Sequence, residues 1–314
     1  DKYKIRYELE KMLYLAHEGR PGPVLMDLPD DLQRAEINPK KLKSFNPPKF
    51  KNKKISFDKK LISLISKAKR PLIILGHGIN LSNTKKDVEK FIKNTGIPFA
   101  PSWGTIDLFP YENKLNAGTF GVAATRYGNF AVQNSDLLIS LGCRLNTQIT
   151  GSNIKSFAPN AKKIVVDIDK NEFKKNNDLK IDLKINLDLK IFLKRALFLI
   201  KKKKNYKSWI QKFHYWKKKY PVIKSEYFNQ ANNNNAYVFM KKLSDKTGKN
   251  DILIPDASAN LIWAMQSFQT KGQRVFTALN HSPMGYSMPA TIGAHLADKS
   301  KNIICTIGDG SMQM

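Results

Sequence analysis

Cysteine is almost absent from this chain, with two in 314 residues, Cys143 and Cys305. Both stand in apolar contexts, and no spacing suits a metal site or a disulfide framework. That pattern belongs to reduced core thiols in a reducing compartment. Long apolar runs are missing as well, and none approaches the ~20 residues that span a bilayer. No basic-then-apolar leader opens the chain, which begins Asp1-Lys2-Tyr3-Lys4. These absences lead us to expect a cytoplasmic protein with no membrane partner. Acidic residues are few, 26 against 54 basic, for a net charge of +28, and only eight of the basic residues are arginine. Asparagine rises together with lysine along the whole chain, as in Asn232-Asn233-Asn234-Asn235. The two together read as a coding bias toward A and T, not as a binding face. We therefore expect weak, salt-sensitive contact with polyanions and no specific nucleic-acid partner.

A hydrophobic content of 41% supplies real cores, and the length allows about two or three domains. Residues 1–46 hold a helical pattern (Tyr7, Met12, Leu13, Leu15, Ala16) that ends at Gly19. There follow a turn, a short strand predicted at Val24 to Leu28, and a Pro29 exit. Residues 47–56, with Pro47-Pro48 and several lysines, read as a linker. From 57 to 172, apolar runs of strand length alternate with helical patterns: Leu61 to Ala68, Pro71 to Leu75, a helix near 85–95, Ile97 to Ala100, Leu137 to Leu141 and Ile164 to Ile168. That alternation implies βαβ units and a parallel sheet. Residues 173–235 read as a helical basic connector, with Lys201-Lys202-Lys203-Lys204 at its centre. Its aromatics Trp209, Phe213 and Trp216 (i, i+4, i+7) suggest one apolar helix face more than a base-stacking platform. A last unit spans 236–314, with a helix to about Ser244 and a strand at Ile252 to Ile254.

Three glycine turns follow predicted strands: Gly76-His77-Gly78, Gly142, and Gly308-Asp309-Gly310-Ser311. Open α/β sheets bind ligands just outside the carboxyl ends of their strands. Each turn can therefore cradle a phosphate through backbone N–H groups, or can simply be a strand-end turn. Asp309 reads either as a solvated turn residue or as a carboxylate for Mg²⁺, which takes one or two carboxylates and fills its shell with phosphate oxygens and water.

Three stretches in order carry a resemblance. Gly19-Arg20-Pro21-Gly22-Pro23-Val24 resembles the closing segment of the pyrimidine-binding domain of thiamine-diphosphate enzymes. Residues 57–172, including Gly142 to Gly151 and Phe157-Ala158-Pro159, resemble their central Rossmann-like domain. Met284-Gly285-Tyr286-Ser287-Met288-Pro289-Ala290 followed by Gly308-Asp309-Gly310-Ser311 is similar to the first part of their diphosphate-binding domain. On these motifs the chain resembles acetolactate synthase large subunits. The resemblance implies an α/β, three-domain thiamine-diphosphate enzyme architecture, parallel sheets flanked by helices, truncated here at both ends. It implies a 2-keto-acid decarboxylase or carboligase that works with thiamine diphosphate and Mg²⁺, as a homodimer or homotetramer at full length. Asp309 takes the role of Mg²⁺ ligand. Gly308, Gly310 and Ser311 line the diphosphate, Met284 props the cofactor in its bent form, and Gly285 presents backbone to the pyrimidine ring.

The departures are informative. The family's catalytic glutamate and its second Mg²⁺ ligand, an asparagine, fall outside this sequence, so the 314-residue chain alone is expected to be inactive. Flavin-binding relatives carry Phe-Asp-Asp-Arg where Leu145-Asn146-Thr147-Gln148 follows Cys143-Arg144, which counts against FAD. Asp256-Ala257-Ser258-Ala259-Asn260 replaces a Gly-Gln-His-Gln run. Another thiamine-diphosphate lyase, acetyltransferase or C–C hydrolase stays open on these departures, as does a non-catalytic nucleotide-binding module.

Overall fold

The computed structural model describes residues 1–48, 56–174, 178–201, 203–229, 234–279 and 281–314. Most of the expected linker at 47–56 lies outside them, as do parts of the Lys201–Lys204 and Asn232–Asn235 runs. Two compact units result, Asp1–Ser56 and Phe57–Met314.

In the first unit, α1 (Ile5–His17) ends where Gly19 takes a left-handed φ of 64°, a conformation glycine adopts without a Cβ penalty. A short α2 (Asp30–Gln33) follows. Phe45 folds back on α1: its N–H donates to the Glu10 carboxylate at 2.6 Å, and its ring lies 5.4 Å from those of Tyr7 and Tyr14. The strand predicted at Val24 to Leu28 does not form. A strand needs a neighbour to take its N–H and C=O groups; these residues pair with none among the described residues, and Leu25 is 88% exposed.

The second unit contains two sheets. The larger is built from β1 (Pro71–Leu75), β2 (Phe99–Pro101), β3 (Leu137–Leu141), β4 (Lys162–Asp167) and β5 (Leu183–Asn186), all parallel, in the order β2-β1-β3-β4-β5. Every residue of β1 and β3 is buried, so both faces are covered, as parallel sheets require. The covering helices are α3 (Asp58–Lys67), the short α4 (Gly78–Leu81), α5 (Lys85–Thr95), α6 (Arg126–Asn134), the short α7 (Thr147–Thr150), α8 (Leu189–Leu199) and α9 (Lys207–Lys219). α5 buries Val88, Phe91, Ile92 and Thr95 at helical spacing and is closed by Gly96 at φ 71°. Its Phe91 meets Phe192 of α8, which also touches Phe57. Each such fully buried side chain contributes roughly 1.5–3 kcal/mol.

This layout changes the reading of 173–235. The segment expected to be a helical connector supplies β5, the edge strand of the sheet, and α8, which packs in its core. Within 173–235, α9 does present the apolar face its spacing predicts: Trp209 and Phe213 are buried, and the Trp209 indole N–H donates to Pro71 O of β1 at 3.0 Å. Phe130 of α6 packs edge-on against Trp216 and Tyr220. Trp209, Phe213 and Trp216 are therefore spent on packing, while Tyr215, Lys207, Lys212, Lys218 and Lys219 are exposed and Lys217 lies over the Tyr111 ring at 3.6 Å.

The smaller sheet holds β6 (Asp251–Pro255), β7 (Arg274–Val275) and β8 (Asn302–Thr306), parallel, in the order β7-β6-β8. Around it lie α10 (Ala236–Lys246), α11 (Ser258–Ser267), α12 (Ser287–Ala297) and the short α13 (Asp309–Met312). Its core gathers Met240, Leu253, Leu261, Ala264, Met265, Phe268 and Val275, and Ile106 from the loop after β2 completes it. The same loop is tied down by Asp107, which accepts from the Val275 N–H at 3.0 Å and pairs with Arg274. Thr270 donates to Ile106 O at 3.1 Å. Those contacts join the two sheets into one unit.

Candidate functional site

β6 and β8 pair in register, Pro255 opposite Thr306, so their carboxyl ends finish level. Asp256 follows the first and Ile307-Gly308-Asp309 the second; the Asp256 N–H donates to Thr306 O at 2.8 Å. Two carboxylates thus follow the carboxyl ends of neighbouring strands, one buried and one exposed.

Asp256 is almost fully buried, 1% exposed. Its carboxylate accepts from the Ser287 N–H at 2.9 Å and the Gly285 N–H at 3.3 Å. Burial alone would raise its pKa. Hydrogen bonds outweigh that, led by the backbone N–H groups of Ser287 and Ala257, and hold it below the usual carboxylate range. The sign follows: a depressed folded-state pKa stabilises the ionised fold above the unfolded value, and that stability is lost as pH falls through the folded one. Asp309, by contrast, is exposed as the first residue of α13.

Of the residues expected at the site, Met284, Gly285, Gly310 and Ser311 are drawn together here, while Gly308 and Asp309 are exposed on the same turn. Gly285 sits at φ 82°, where a Cβ would come within 3.2 Å of both Ser311 O and Met314 Cβ. Met284 Cε is 3.6 Å from where a Cβ on Gly310 would stand, and Ser311 is buried. Gly308 has open space on its Cβ side. Gly308 and Gly310 therefore leave the β8 edge bare enough for an anionic group to approach the backbone, and the first amides of a helical turn have no partner within it. The bare edge fits a diphosphate. A single exposed carboxylate beside it fits Mg²⁺, whose remaining ligands are phosphate oxygens and water. Among the described residues no group of three or more His, Cys, Asp or Glu is placed to hold a metal by itself.

Sequence reasoning passed over Asp256 as a site residue. The signal was available: a carboxylate directly after β6, as Asp309 follows β8 three residues on.

The other two glycine turns lie at the point where the strand order of the larger sheet reverses, between β1 and β3. Their N–H groups are already engaged. Gly76 N–H donates to Leu141 O, Gly78 N–H to Gly142 O and Gly142 N–H to Val166 O, each at 3.0 Å. Of the two readings open for these turns, the strand-end turn is the one observed, with the three glycine amides unavailable to phosphate. The nearby Cys143 is buried and its thiol is pushed up to about 12 by burial and then by the carboxylates of Asp167 and Glu172. Cys305 is raised as well, mainly by burial, and both are free. Neither is a thiolate at neutral pH, so neither acts as a nucleophile there.

One backbone feature marks the start of α11. Ser258 adopts φ 66°, the left-handed region that disfavours a side chain. Its neighbour Asn260 donates to Thr306 O, which binds α11 to the β8 end. Ser258 itself is exposed. Ser258→Gly is therefore expected to raise stability by about 0.5–1 kcal/mol, the strain relieved less the extra flexibility of glycine in the unfolded chain. Urea unfolding of both proteins measures it; an unchanged or lowered midpoint would contradict the strain.

Residues 59–196 match the central domain of thiamine pyrophosphate enzymes, and residues 256–314 match their C-terminal TPP binding domain. The chain belongs to the thiamine pyrophosphate enzyme family. It is 33% identical over 322 residues to a probable acetolactate synthase large subunit of Methanococcus aeolicus, covering 96% of this chain and 53% of that protein. The Lactococcus lactis acetolactate synthase large subunit is 32% identical over 305 residues, covering 96% and 52%. A chloroplastic acetolactate synthase 1 of Nicotiana tabacum is 28% identical over 322 residues, covering 98% and 46%. The chain thus spans about half the length of these curated relatives. The central-domain match runs to 196, across β5 and into α8, in line with the extended sheet.

Proposed function

We propose that the full-length protein carrying this sequence is a thiamine-diphosphate- and Mg²⁺-dependent 2-keto-acid decarboxylase and carboligase of the acetolactate synthase kind, working as a cytoplasmic homo-oligomer. The observation that carries it is the convergence of Met284 and Gly285 with Gly310 and Ser311 around buried Asp256, beside the exposed carboxylate of Asp309.

Each residue has work that follows from its chemistry. Asp309 offers a full negative charge to Mg²⁺. The bare backbone at Gly308, Gly310 and Ser311 receives the diphosphate. Met284, packed on Gly310, presents a thioether that fills irregular space without competing for hydrogen bonds. Gly285 lets backbone approach a flat ring where a side chain would block it. Thiamine diphosphate, when bound, supplies the electron sink that lets a 2-keto acid lose CO₂. Apolar surfaces around the reacting carboxylate favour loss of its charge. Flavin gains no support, because the three glycine amides at the β1–β3 turns are already taken. The same fact counts against a nucleotide-binding module at that crevice.

Calorimetric titration of the full-length protein with thiamine diphosphate and Mg²⁺, followed by CO₂ release from pyruvate, tests the reading. We expect Mg²⁺-dependent binding and turnover. Binding without decarboxylation of any 2-keto acid would move the protein to another lyase or transferase of the family; absence of binding would end the proposal.

A further inference from the structure

The geometry points to Asp256 as the residue that positions Met284 and Ser311 for the cofactor, an inference that rests on the thiamine-diphosphate reading above. Asp256 is no ligand of the diphosphate or of Mg²⁺ in this account. It acts from beneath, on the backbone that carries those groups.

Three stretches far apart in sequence meet at this one residue. The end of β6 supplies the carboxylate. The segment 284–287 brings the N–H groups of Gly285 and Ser287, at 3.3 and 2.9 Å, from 29 and 31 residues further on. The end of β8 brings Thr306 O, which accepts from the Asp256 N–H at 2.8 Å, three residues before α13 begins. The two oxygens divide the task, since Oδ1 accepts from Gly285 and Oδ2 from Ser287. Gly285 directly follows Met284, so the Oδ1 bond sets the height of Met284 above Gly310. Ser311 O lies 3.2 Å from where a Cβ on Gly285 would stand, so the segment that Asp256 holds packs directly on α13, which begins at Asp309. A buried carboxylate gripped by several donors has little freedom to move, because leaving any of them unpaired is costly. Asp256 thus couples the pyrimidine side of the site to its diphosphate side.

Only a carboxylate meets this demand. Asparagine has nearly the same size, but its single oxygen must serve donors that two oxygens serve now. Its amide group would also point an N–H at the N–H of Gly285 or Ser287. The expected consequence is a displaced 284–287 segment, not an unfolded sheet, since Asp256 lies past the end of β6.

The test is a double-variant cycle in the full-length holoenzyme: Asp256→Asn, Met284→Ala, and both together. The readings are thiamine diphosphate affinity at saturating Mg²⁺, turnover, and the melting temperature of the apoprotein. Asp256→Asn is expected to weaken cofactor affinity by about tenfold or more, ~1.4 kcal/mol, with the apoprotein melting within a few degrees of the unsubstituted one. Met284→Ala is expected to lower turnover. The double variant should be no slower than the slower single variant, because Asp256 acts through the placement of Met284 and coupled residues fail to add. Independent losses that multiply in the double variant would overturn the inference, as would unchanged affinity in Asp256→Asn. A lowered melting temperature with full affinity in the folded fraction would also overturn it, since that marks a scaffold residue only. If Asp256→Asn does not fold, Asp256→Glu, which keeps the carboxylate but displaces it by one methylene, is read against Met284→Ala in the same way. Failure of the unsubstituted protein to bind thiamine diphosphate overturns the parent reading, whereas normal binding with an inert Asp256→Asn overturns this inference alone.

Discussion

Gly76→Ala should leave little folded protein. A Cβ at Gly76 would fall 2.1 Å from Gly142 O, 2.2 Å from Cys143 Cα and 2.4 Å from Cys143 N, all backbone atoms. No side chain can swing aside to relieve such contacts. Relief requires the loops after β1 and β3 to part, which breaks the Gly76 N–H to Leu141 O and Gly78 N–H to Gly142 O bonds, both 3.0 Å. Overpacking of this severity plus two lost buried hydrogen bonds amounts to roughly 3–5 kcal/mol, a large share of the ~5–15 kcal/mol that holds a domain folded. Thermal unfolding, with Gly248→Ala as control, measures it; nothing lies within 4 Å of a Cβ at Gly248. Equal melting of Gly76→Ala and the unsubstituted protein would show that the turns are not pressed together. The loss is expected without any ligand present, which separates a packing role from phosphate binding.

Asp309→Asn should do the opposite: leave the fold intact and weaken the cofactor. The side chain is exposed, and an exposed substitution generally changes stability by less than about 0.5 kcal/mol. Facing a hard cation, however, the loss of a full charge should exceed ~1.4 kcal/mol, or tenfold in thiamine diphosphate affinity at saturating Mg²⁺. Calorimetry of the full-length protein with and without Mg²⁺ reads the difference, which should vanish when the metal is chelated. Unchanged affinity with Mg²⁺ present would remove Asp309 from the metal site.

The contrast between these two positions follows from where each information source is strong. Strand-length apolar runs such as Pro71–Leu75 and Leu137–Leu141 are legible in sequence because a strand buried on both faces is apolar at every position. α5 is legible because its apolar residues recur at helical spacing and Gly96 ends them. The Gly308-Asp309-Gly310-Ser311 turn is legible because glycine and a carboxylate after a buried strand form a compact, local pattern.

β5 was hidden from that kind of reading because Leu183-Lys184-Ile185-Asn186 alternates apolar and polar residues within a lysine-rich stretch, as an edge strand can. Its identity depends on pairing with β4, a contact between segments that sequence does not place together. The predicted strand at Val24 to Leu28 erred the other way, for the same reason: apolar spacing proposes a strand, but a neighbour must accept its hydrogen bonds. The choice among the glycine turns was also beyond sequence. Gly76 and Gly308 look alike in one dimension; only in three is one amide already bonded and the other edge open. Asp256 belongs with them, since its role depends on donors from Gly285 and Ser287 converging on one buried carboxylate. The sequence by itself determined the α/β class, the family motifs and most of the elements, because these rest on local periodicity and local residue chemistry. Tertiary structure alone decided which strands pair, which turns are closed and which carboxylate organises the site, because hydrogen bonds and close contacts between distant segments exist only once the chain has folded.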